Sequence, residues 1–156
     1  VSTPLLFHLF DHLEVIQDMH FMLQREVVLR LVAEPNSKNY GRLSVMAQFY
    51  ANMSHLFDVP PNAFDPPPKV DSAVIRLLPK VLEANSQALA EPLSVITRHA
   101  FGQRRKTLRN ALSNLMSAEL IESVGVNPGA RAETLSLEDF LALAQWYHDH
   151  TESKHP

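Results

Sequence analysis

The sequence has no cysteine, no long apolar run and no general excess of positive charge. Without cysteine, a disulfide framework, a cysteine-ligated zinc and a thiol nucleophile are all excluded. No apolar stretch approaches the roughly 20 residues that a membrane-spanning helix needs, and no signal peptide is visible. The formal net charge is −3, so a uniformly basic coat is excluded and any basic surface must be local. We therefore expect a cytoplasmic protein with no membrane partner.

Apolar periodicity divides the 156 residues into two parts. Up to Pro79 the pattern predicts helix, strand, helix, helix, strand and strand, which is typical of an α/β fold. From Pro92 onward it predicts helices only, and the last of them begins with a capping box formed by Ser136 and Asp139. We expect the boundary between the two parts to lie between Pro79 and Pro92.

Some predictions about single elements are specific enough to be checked. The first helix is expected to bury an apolar stripe that begins with Leu5. Residues 19–23 are apolar on both faces, as in an interior strand. Residues 56–59 fit a strand that Pro60 stops, and residues 108–115 fit one amphipathic helix.

Two polar features have more than one interpretation. His8 and His12 are four apart on the first predicted helix, but no carboxylate completes a known metal-binding pattern, and we expect no metal site. Residues 35–41 are polar and rich in turn formers, which predicts a loop between helices. This loop is either a plain connection or a mobile loop near a substrate.

The most distinctive stretch is FDPPPKVDSAVIRLL at residues 64–78. Prolines 66 to 68 each fix φ and donate no backbone hydrogen bond, so they favour a stiff polyproline II rod. From Ser72 the residues become apolar and β-branched, which predicts a short buried strand. Phe64 stands just before the rod, and its ring is either a core anchor or a group held out for another purpose.

This stretch resembles a late motif of the ribosomal RNA small-subunit adenine dimethyltransferases. Four other blocks are similar to the same family and occur in its order. The resemblance covers nearly the whole chain. The four blocks are STPLLFHLF at 2–10, MHFMLQREVV at 19–28, YGRLSVM at 40–46 and FGQRRKTLRN at 101–110.

The resemblance implies an enzyme that transfers methyl groups from S-adenosylmethionine to the N6 atoms of adenines. In the family, the glycine-rich cofactor loop, the ribose-binding acid and the catalytic motif all lie upstream of the position that Val1 occupies here, and none of them occurs in this chain. We therefore expect the chain to be the C-terminal part of such an enzyme. It would contain no catalytic residue and no cofactor-binding residue, and it would bind no S-adenosylmethionine alone.

The resemblance also implies a fold. Residues 1–80 would form the later part of a Rossmann-like methyltransferase sheet, whose final hairpin is antiparallel to the rest. Residues 81–156 would form a small all-helical RNA-binding domain. The strand around Phe21 would then have an unpaired edge. The expected partner is small-subunit ribosomal RNA in an immature small ribosomal subunit, and the protein is expected to be a monomer.

A cluster of basic residues lies in the helical part. Between Pro92 and Ala118 there is no acidic residue, and the cations there could bind phosphates with release of counterions. Arg105 and Arg109 are four apart and are expected to project from one helical face. The alternative is a solvated basic face that balances the acidic residues further on, but the resemblance favours contact with RNA. The cluster contains Arg98, Arg104, Arg105, Lys106 and Arg109.

The resemblance also assigns a role to Phe64. An enzyme that modifies a base amino group must draw the base out of its stack, and an aromatic ring can then hold it flat. In the family, the aromatic residue of this motif packs on the target adenine opposite a tyrosine of the upstream motif. Lys69 could contact a nearby phosphate, or it could be solvated. The alternative to an enzyme is a module that binds RNA without chemistry.

Overall fold

A computed structural model describes residues 2–10, 18–103 and 105–152. In the first half of the chain, the elements are α1 (Ser2–Phe10), β1 (Met19–Gln24), α2 (Arg25–Leu31), α3 (Arg42–Tyr50), β2 (Ala51–Val59) and β3 (Ser72–Pro79). The second half contains α4 (Ala84–Gln87), α5 (Ala90–Phe101), α6 (Leu108–Ala111), α7 (Ala118–Ser123) and α8 (Leu137–Glu152). Single 3-10 turns occur at Pro61–Ala63 and Ala132–Thr134. Among these helices, none combines the length and the apolar character needed to cross a membrane.

Two positions near the start of the chain lie outside these ranges. They are Val1, before which the family's catalytic motif would lie, and His12 of the histidine pair. Within the described residues, no group of three or more histidines and carboxylates is arranged to hold a metal ion. The structure therefore does not test the predictions that depend on Val1 and His12.

The three strands form one sheet in the order β1-β3-β2. Both outer strands pair antiparallel with β3, so β1 and β2 run parallel to each other. The predicted order of helices and strands up to Pro79 is confirmed. The final hairpin was expected to run antiparallel to the rest of the sheet. Only β3 does so, because β2 runs in the same direction as β1.

One face of the sheet packs on the helices of the first half. Along β3, Ala73, Ile75 and Leu77 are fully buried, as the period of two in a strand requires when one face is covered. The side chains that cover this face come from α1, α2 and α3. They are Leu6, Val28, Leu31 and Ala47, and together with the strand residues they make a sheet core.

A second core lies among the helices of the other half. Its centre is formed by fully buried side chains from α5, the α6 region, α7 and α8, which are Leu93, Ile96, Leu108, Leu112, Ile121, Phe140 and Leu143. The helix α3 joins the two cores. It places Ala47 in the sheet core and Val45 and Phe49 in the helical core.

Polar contacts also connect α3 to the helices that follow the sheet. The guanidinium of Arg42 donates to the Oγ of Ser94 at 2.7 Å and to the Oγ1 of Thr97 at 3.3 Å, both on α5. The ammonium of Lys80 donates to the backbone oxygen of Gln48 at 2.6 Å. Burial lowers the pKa of Lys80, although the nearby Glu138 carboxylate acts in the opposite direction.

The loop at residues 35–41 is fastened to the helical half. The Tyr40 hydroxyl donates to the backbone oxygen of Leu135 at 2.7 Å, and the Asn36 N–H donates to the oxygen of Glu133 at 2.8 Å. Burial, followed by the charges of Asp139 and Glu138, raises the pKa of Tyr40, so its hydroxyl stays protonated and remains a donor. These contacts favour the plain connection over the mobile loop.

Four predictions about elements are wrong in detail. Leu5 is 52% exposed, so the apolar stripe of α1 does not include it. The strand β1 is not buried on both faces, because its Met22 is 51% exposed, whereas its position at the edge of the described sheet agrees with the unpaired edge expected around Phe21. The strand β2 begins at Ala51, because backbone pairing with β3 continues through polar residues that hide the pattern. The helix α6 ends at Ala111 and is followed by turns.

Two side-chain caps occur in the helical half, and the predicted capping box of Ser136 and Asp139 is confirmed. The Oγ of Ser117 accepts from the Leu120 N–H at 3.3 Å at the start of α7. At α8, the Ser136 N–H donates to the Asp139 carboxylate at 3.1 Å, and the Asp139 N–H donates to the Ser136 Oγ at 3.2 Å. This reciprocal pair satisfies two backbone donors that a helix start otherwise leaves unpaired.

Candidate nucleic-acid interface

The carboxyl ends of the two parallel strands meet at one edge of the sheet. Gln24, the last residue of β1, and Val59, the last residue of β2, are both paired with Ser72 at the start of β3. In open α/β sheets, ligands bind outside the carboxyl ends of the parallel strands. We call this edge, together with the connection at residues 60–71, the carboxyl edge.

Phe64 lies in the connection that leaves and returns to the carboxyl edge. It follows the 3-10 turn Pro61–Ala63, and its N–H donates to the oxygen of Pro61 at 3.2 Å. The ring is half-buried, and within the described residues it belongs to neither core. This position does not support the core-anchor interpretation.

The proline stretch is less regular than a straight rod. The chain bends at residues 64–66 and again at 69–70, and the peptide bond between Asp65 and Pro66 is cis. The end of the stretch is fixed by α2, since the Arg25 N–H donates to the oxygen of Asp71 at 2.9 Å. The bent connection is thus held at both ends.

A charged network lies beside this connection and was missed by the sequence analysis. The Asp58 carboxylate accepts from the Arg25 guanidinium at 3.1 Å and from the His55 ring at 2.7 Å. Desolvation raises the pKa of Asp58, but the hydrogen bonds from His55 and Arg25 together lower it by more, so the net shift is downward. The available signal was a polar residue, Arg25, directly after a strand that ends at a ligand-binding edge.

An open cleft of about 400 Å³ lies between the start of α2 and the end of the connection. Lys69 lines it, and its exposed ammonium makes no ion pair with a described carboxylate. Arg25 and the acidic Glu26 and Asp71 also line this cleft. Lys69 is therefore placed near the same edge as Phe64 and apart from the basic residues of the helical half.

The basic cluster of the helical half is spread over two helices and the link between them. Arg98 lies in the last turns of α5, and Arg109 lies in α6. Arg105 and Lys106 precede Thr107, whose extended ψ of 162° marks it as the residue before α6. Arg105 and Arg109 therefore do not share a helical face, which corrects the prediction. Arg104 lies outside the described residues.

The described cations of this cluster are exposed, and their charged groups are not paired with carboxylates. The side chains of Arg98, Arg105, Lys106 and Arg109 form no ion pair with any described carboxylate. Their backbone is nevertheless held firmly, since the Arg109 N–H donates to the oxygen of Pro128 at 2.9 Å. A fixed backbone with free guanidinium groups suits phosphate binding, because Arg offers a planar fork to phosphate oxygens.

The described strand-to-helix connections lack the glycine-rich turn of an adenosyl-cofactor site. A Rossmann-like cofactor site needs a glycine-rich turn between a strand and the next helix. In the described sheet, β1 passes directly from Gln24 to Arg25 of α2 without a glycine. The four glycines of the chain are Gly41, Gly102, Gly125 and Gly129, and none follows a described strand.

The place of the catalytic motif stays a prediction. The resemblance puts that motif upstream of Val1, and Val1 itself lies outside the described residues. The expectation that this chain contains no catalytic residue and no cofactor-binding residue therefore depends on the resemblance alone.

Relatives of known name match almost the entire chain. The family model described as ribosomal RNA adenine dimethylase matches residues 1–149. "Ribosomal RNA small subunit methyltransferase A" of Klebsiella pneumoniae (strain 342) is 54% identical over 99% of this chain. The protein of the same name from Escherichia coli (strain 55989 / EAEC) is 56% identical over 94% of it. The chain spans 56% and 54% of the lengths of these two relatives.

Solved structures agree on the fold. A dimethyladenosine transferase from Plasmodium falciparum superposes with a TM-score of 0.75 at 25% identity, over 91% of this chain and 61% of that one. The 23S rRNA methyltransferase ErmE superposes with a TM-score of 0.57 at 24% identity, over 86% of this chain and 55% of that one. The sheet and its helices thus have a methyltransferase fold, and by the match over residues 1–149 this chain belongs to the ribosomal RNA adenine dimethylase family.

Proposed function

We propose that this chain supplies the target-base side and the RNA-binding side of an enzyme that dimethylates adenine N6 in small-subunit ribosomal RNA. Family membership gives the reaction class, in which S-adenosylmethionine supplies the methyl groups. The observation that carries the proposal is the position of Phe64, half-buried at the carboxyl edge and outside both cores. This is the edge at which ligands of such sheets bind.

In this proposal Phe64 holds the target adenine after it has left its stack. A base inside a helix is out of reach of an enzyme, so it must be extruded and held flat. The 3-10 turn fixes the backbone just before Phe64, and α2 fixes the end of the connection at Asp71, so the ring would lose little freedom when a base stacks on it. Such stacking is worth about 1–3 kcal/mol per base. Lys69 would hold a phosphate near that base.

The helical half holds the RNA in the same proposal. Residues 1–80 form the methyltransferase part, and residues 81–156 form a helical RNA-binding domain whose cations are Arg98, Arg104, Arg105, Lys106 and Arg109. The free guanidinium groups described above support this assignment, since phosphate contacts supply most sequence-independent affinity. The partner would be small-subunit ribosomal RNA in an immature subunit, bound by a cytoplasmic monomer.

A second candidate is a module that binds RNA without chemistry. It is favoured by the direct passage from β1 to α2, which has no glycine-rich cofactor turn. The prediction that this chain alone binds no S-adenosylmethionine belongs to both candidates, so it does not separate them.

Nucleoside mass spectrometry separates the two candidates. The enzyme that contains this chain is incubated with immature small subunits and S-adenosylmethionine, and the RNA is then digested to nucleosides. We expect N6,N6-dimethyladenosine to appear with time. RNA that is bound but gains no methylated adenosine would leave only the binding module.

A further inference from the structure

A polar cleft lies between the end of α5 and the α6 region, beside the basic cluster. It has a volume of about 250 Å³ and is open to solvent. No carboxylate is among the residues that line it. The polar side chains around it are Arg98, His99, Gln103, Asn110, Ser113 and Asn114.

Most of these side chains have no partner within the described part of the chain. The side chains of Arg98, Gln103, Ser113 and Asn114 make no hydrogen bond or ion pair there, and all four are exposed. The amide of Asn110 has only a long contact, 3.5 Å, with the Thr107 hydroxyl. The cleft is therefore surrounded by several kinds of hydrogen-bond donors and acceptors that are not bonded to other described residues.

Backbone packing gives the cleft a fixed wall. Gly102 ends α5, and a Cβ placed on it would come within 2.9 Å of the Arg98 oxygen, so the chain turns too tightly there for a side chain. His99 is also held, because its Nδ1 is 3.0 Å from the oxygen of Val95. The groups that face the cleft therefore stand on an ordered backbone.

We propose that this cleft binds one unpaired nucleotide of the RNA and reads its base or ribose. Arg98 contacts the phosphate, while Asn110, Ser113 and Asn114 contact the base edge or the 2′-hydroxyl. Asn offers a donor and an acceptor side by side, which is the pattern that base edges require. Unpaired nucleotides expose these edges in RNA, whereas helical RNA hides them in a deep groove.

The size and the surroundings of the cleft agree with a single nucleotide. Its volume lies just below the range of roughly 300–1,000 Å³ that holds drug-sized ligands, so it has room for about one residue of a longer chain. The neighbouring cations Arg105 and Arg109 would hold the phosphates on either side. The inference deepens the proposed RNA-binding function and rests on it. In this inference the cleft provides specificity for a base, and the basic cluster provides electrostatic affinity for phosphates.

The test compares two variants of the whole chain for binding to an RNA hairpin with an unpaired loop. The double variant Ser113→Ala/Asn114→Ala should bind about five- to a hundredfold more weakly, because each good base contact contributes discrimination of that order. Its dependence on salt should not change, since no charge is lost. The control is Asn85→Ala on α4, where the exposed Asn85 side chain makes no hydrogen bond to a described residue, and it should bind like the unmodified chain.

Each other result points elsewhere. If Ser113→Ala/Asn114→Ala binds normally while Arg105→Glu/Arg109→Glu binds weakly, the cleft proposal is overturned and the RNA-binding function stands. If the unmodified chain does not bind the hairpin, both are overturned. A titration monitored by NMR adds a second measurement, with the four ribonucleoside 5′-monophosphates and inorganic phosphate as probes. We expect at least one nucleotide to shift the Asn110 and Asn114 amide signals more than phosphate does, and equal shifts would overturn base reading.

Discussion

Asp58 accepts hydrogen bonds from two side chains that reach it from different elements. Arg25 comes from the start of α2, and His55 comes from β2 itself, so the carboxylate joins a helix to the strand at the carboxyl edge. The three side chains are partly exposed, and solvent screens their attraction. The role of these hydrogen bonds is therefore to orient a side chain: they hold Arg25 beside the cleft that Lys69 also lines.

Asp58→Asn tests this network through the pH dependence of stability. A carboxyl group whose pKa is lowered by folding stabilises the protein above its ordinary value of 3.8 and loses that contribution as the pH falls through the lowered pKa. At pH 7 the Tm of Asp58→Asn should lie a few degrees at most below that of the unmodified protein. The difference should shrink as the pH falls below 3.8 and should vanish only below the lowered pKa. The control is Asp65→Asn, whose side chain accepts no hydrogen bond from a described residue. A difference in Tm that persists unchanged at pH 3 would contradict the assignment.

At the scale of elements, α3 and the loop before it connect the sheet to the helical half. The loop contributes Tyr40, whose ring lies edge-on to Phe101 with centroids 6.1 Å apart, while its hydroxyl reaches Leu135. Phe101 in turn packs on Phe140 with centroids 5.4 Å apart. One tyrosine thus links three segments that are far apart in the sequence.

Tyr40→Phe should weaken this connection without removing the ring. The buried oxygen of Leu135 would lose its side-chain donor, which costs about 1–3 kcal/mol. Urea unfolding of the whole chain measures this loss. Tyr147→Phe is the matched control, because the Tyr147 hydroxyl is half-buried and has no hydrogen-bond partner among the described residues. Equal stabilities for the two variants would show that the hydroxyl of Tyr40 does not hold the loop.

The link between α5 and α6 is the proposed electrostatic part of the RNA-binding surface. Arg105→Glu/Arg109→Glu should weaken binding to structured RNA and reduce the slope of log K against log salt by about 1.4 to 1.8, as expected for two lost phosphate contacts. The control is Arg30→Glu/Lys38→Glu, which changes the net charge by the same amount at exposed residues of the first half. This variant should keep most of the slope of the unmodified chain. If the two double variants change the slope by the same amount, the charge effect is general and the cluster is only a solvated face.

The sequence predicted elements where a local pattern was strong and failed where tertiary contacts decided. The Ser136–Asp139 capping box and β3 were predictable, because caps and alternating apolar residues act over a few positions. The early part of β2 was not, since Asn52 and Ser54 become strand only by pairing with β3. The start of α6 is held from outside the helix, since the N–H groups of Leu108 and Arg109 donate to the oxygens of Ala130 and Pro128, which no local pattern reveals.

The same division holds for the candidate site. Phe64 could be proposed because the resemblance covers its motif, and the cations because no acidic residue lies between Pro92 and Ala118. The Asp58 network instead depends on contacts between positions 33 residues apart. The expectation that Arg105 and Arg109 share a face failed because Thr107 starts α6 between them. Sequence spacing gives a shared face only inside one continuous helix.

For the whole molecule, the two cores correspond to two proposed tasks. In the proposal, the sheet and its carboxyl edge would hold the target base and the helical half would hold the RNA. The helix α3 packs into both cores. This arrangement predicts that methyl transfer and RNA affinity can be changed separately, since stacking on the base occurs only after the base has left its helix.

The most direct test is single-turnover methylation by Phe64 variants of the enzyme that contains this chain. Phe64→Ala should slow methyl transfer by about five- to more than a hundredfold, the equivalent of losing one stacked base. RNA affinity and Tm should change little, because Phe64 belongs to neither core among the described residues. Phe64→Trp should retain much of the rate, since it keeps an aromatic face. A Phe64→Ala enzyme that methylates at the normal rate, or one whose lost activity is fully explained by unfolding, would contradict the account.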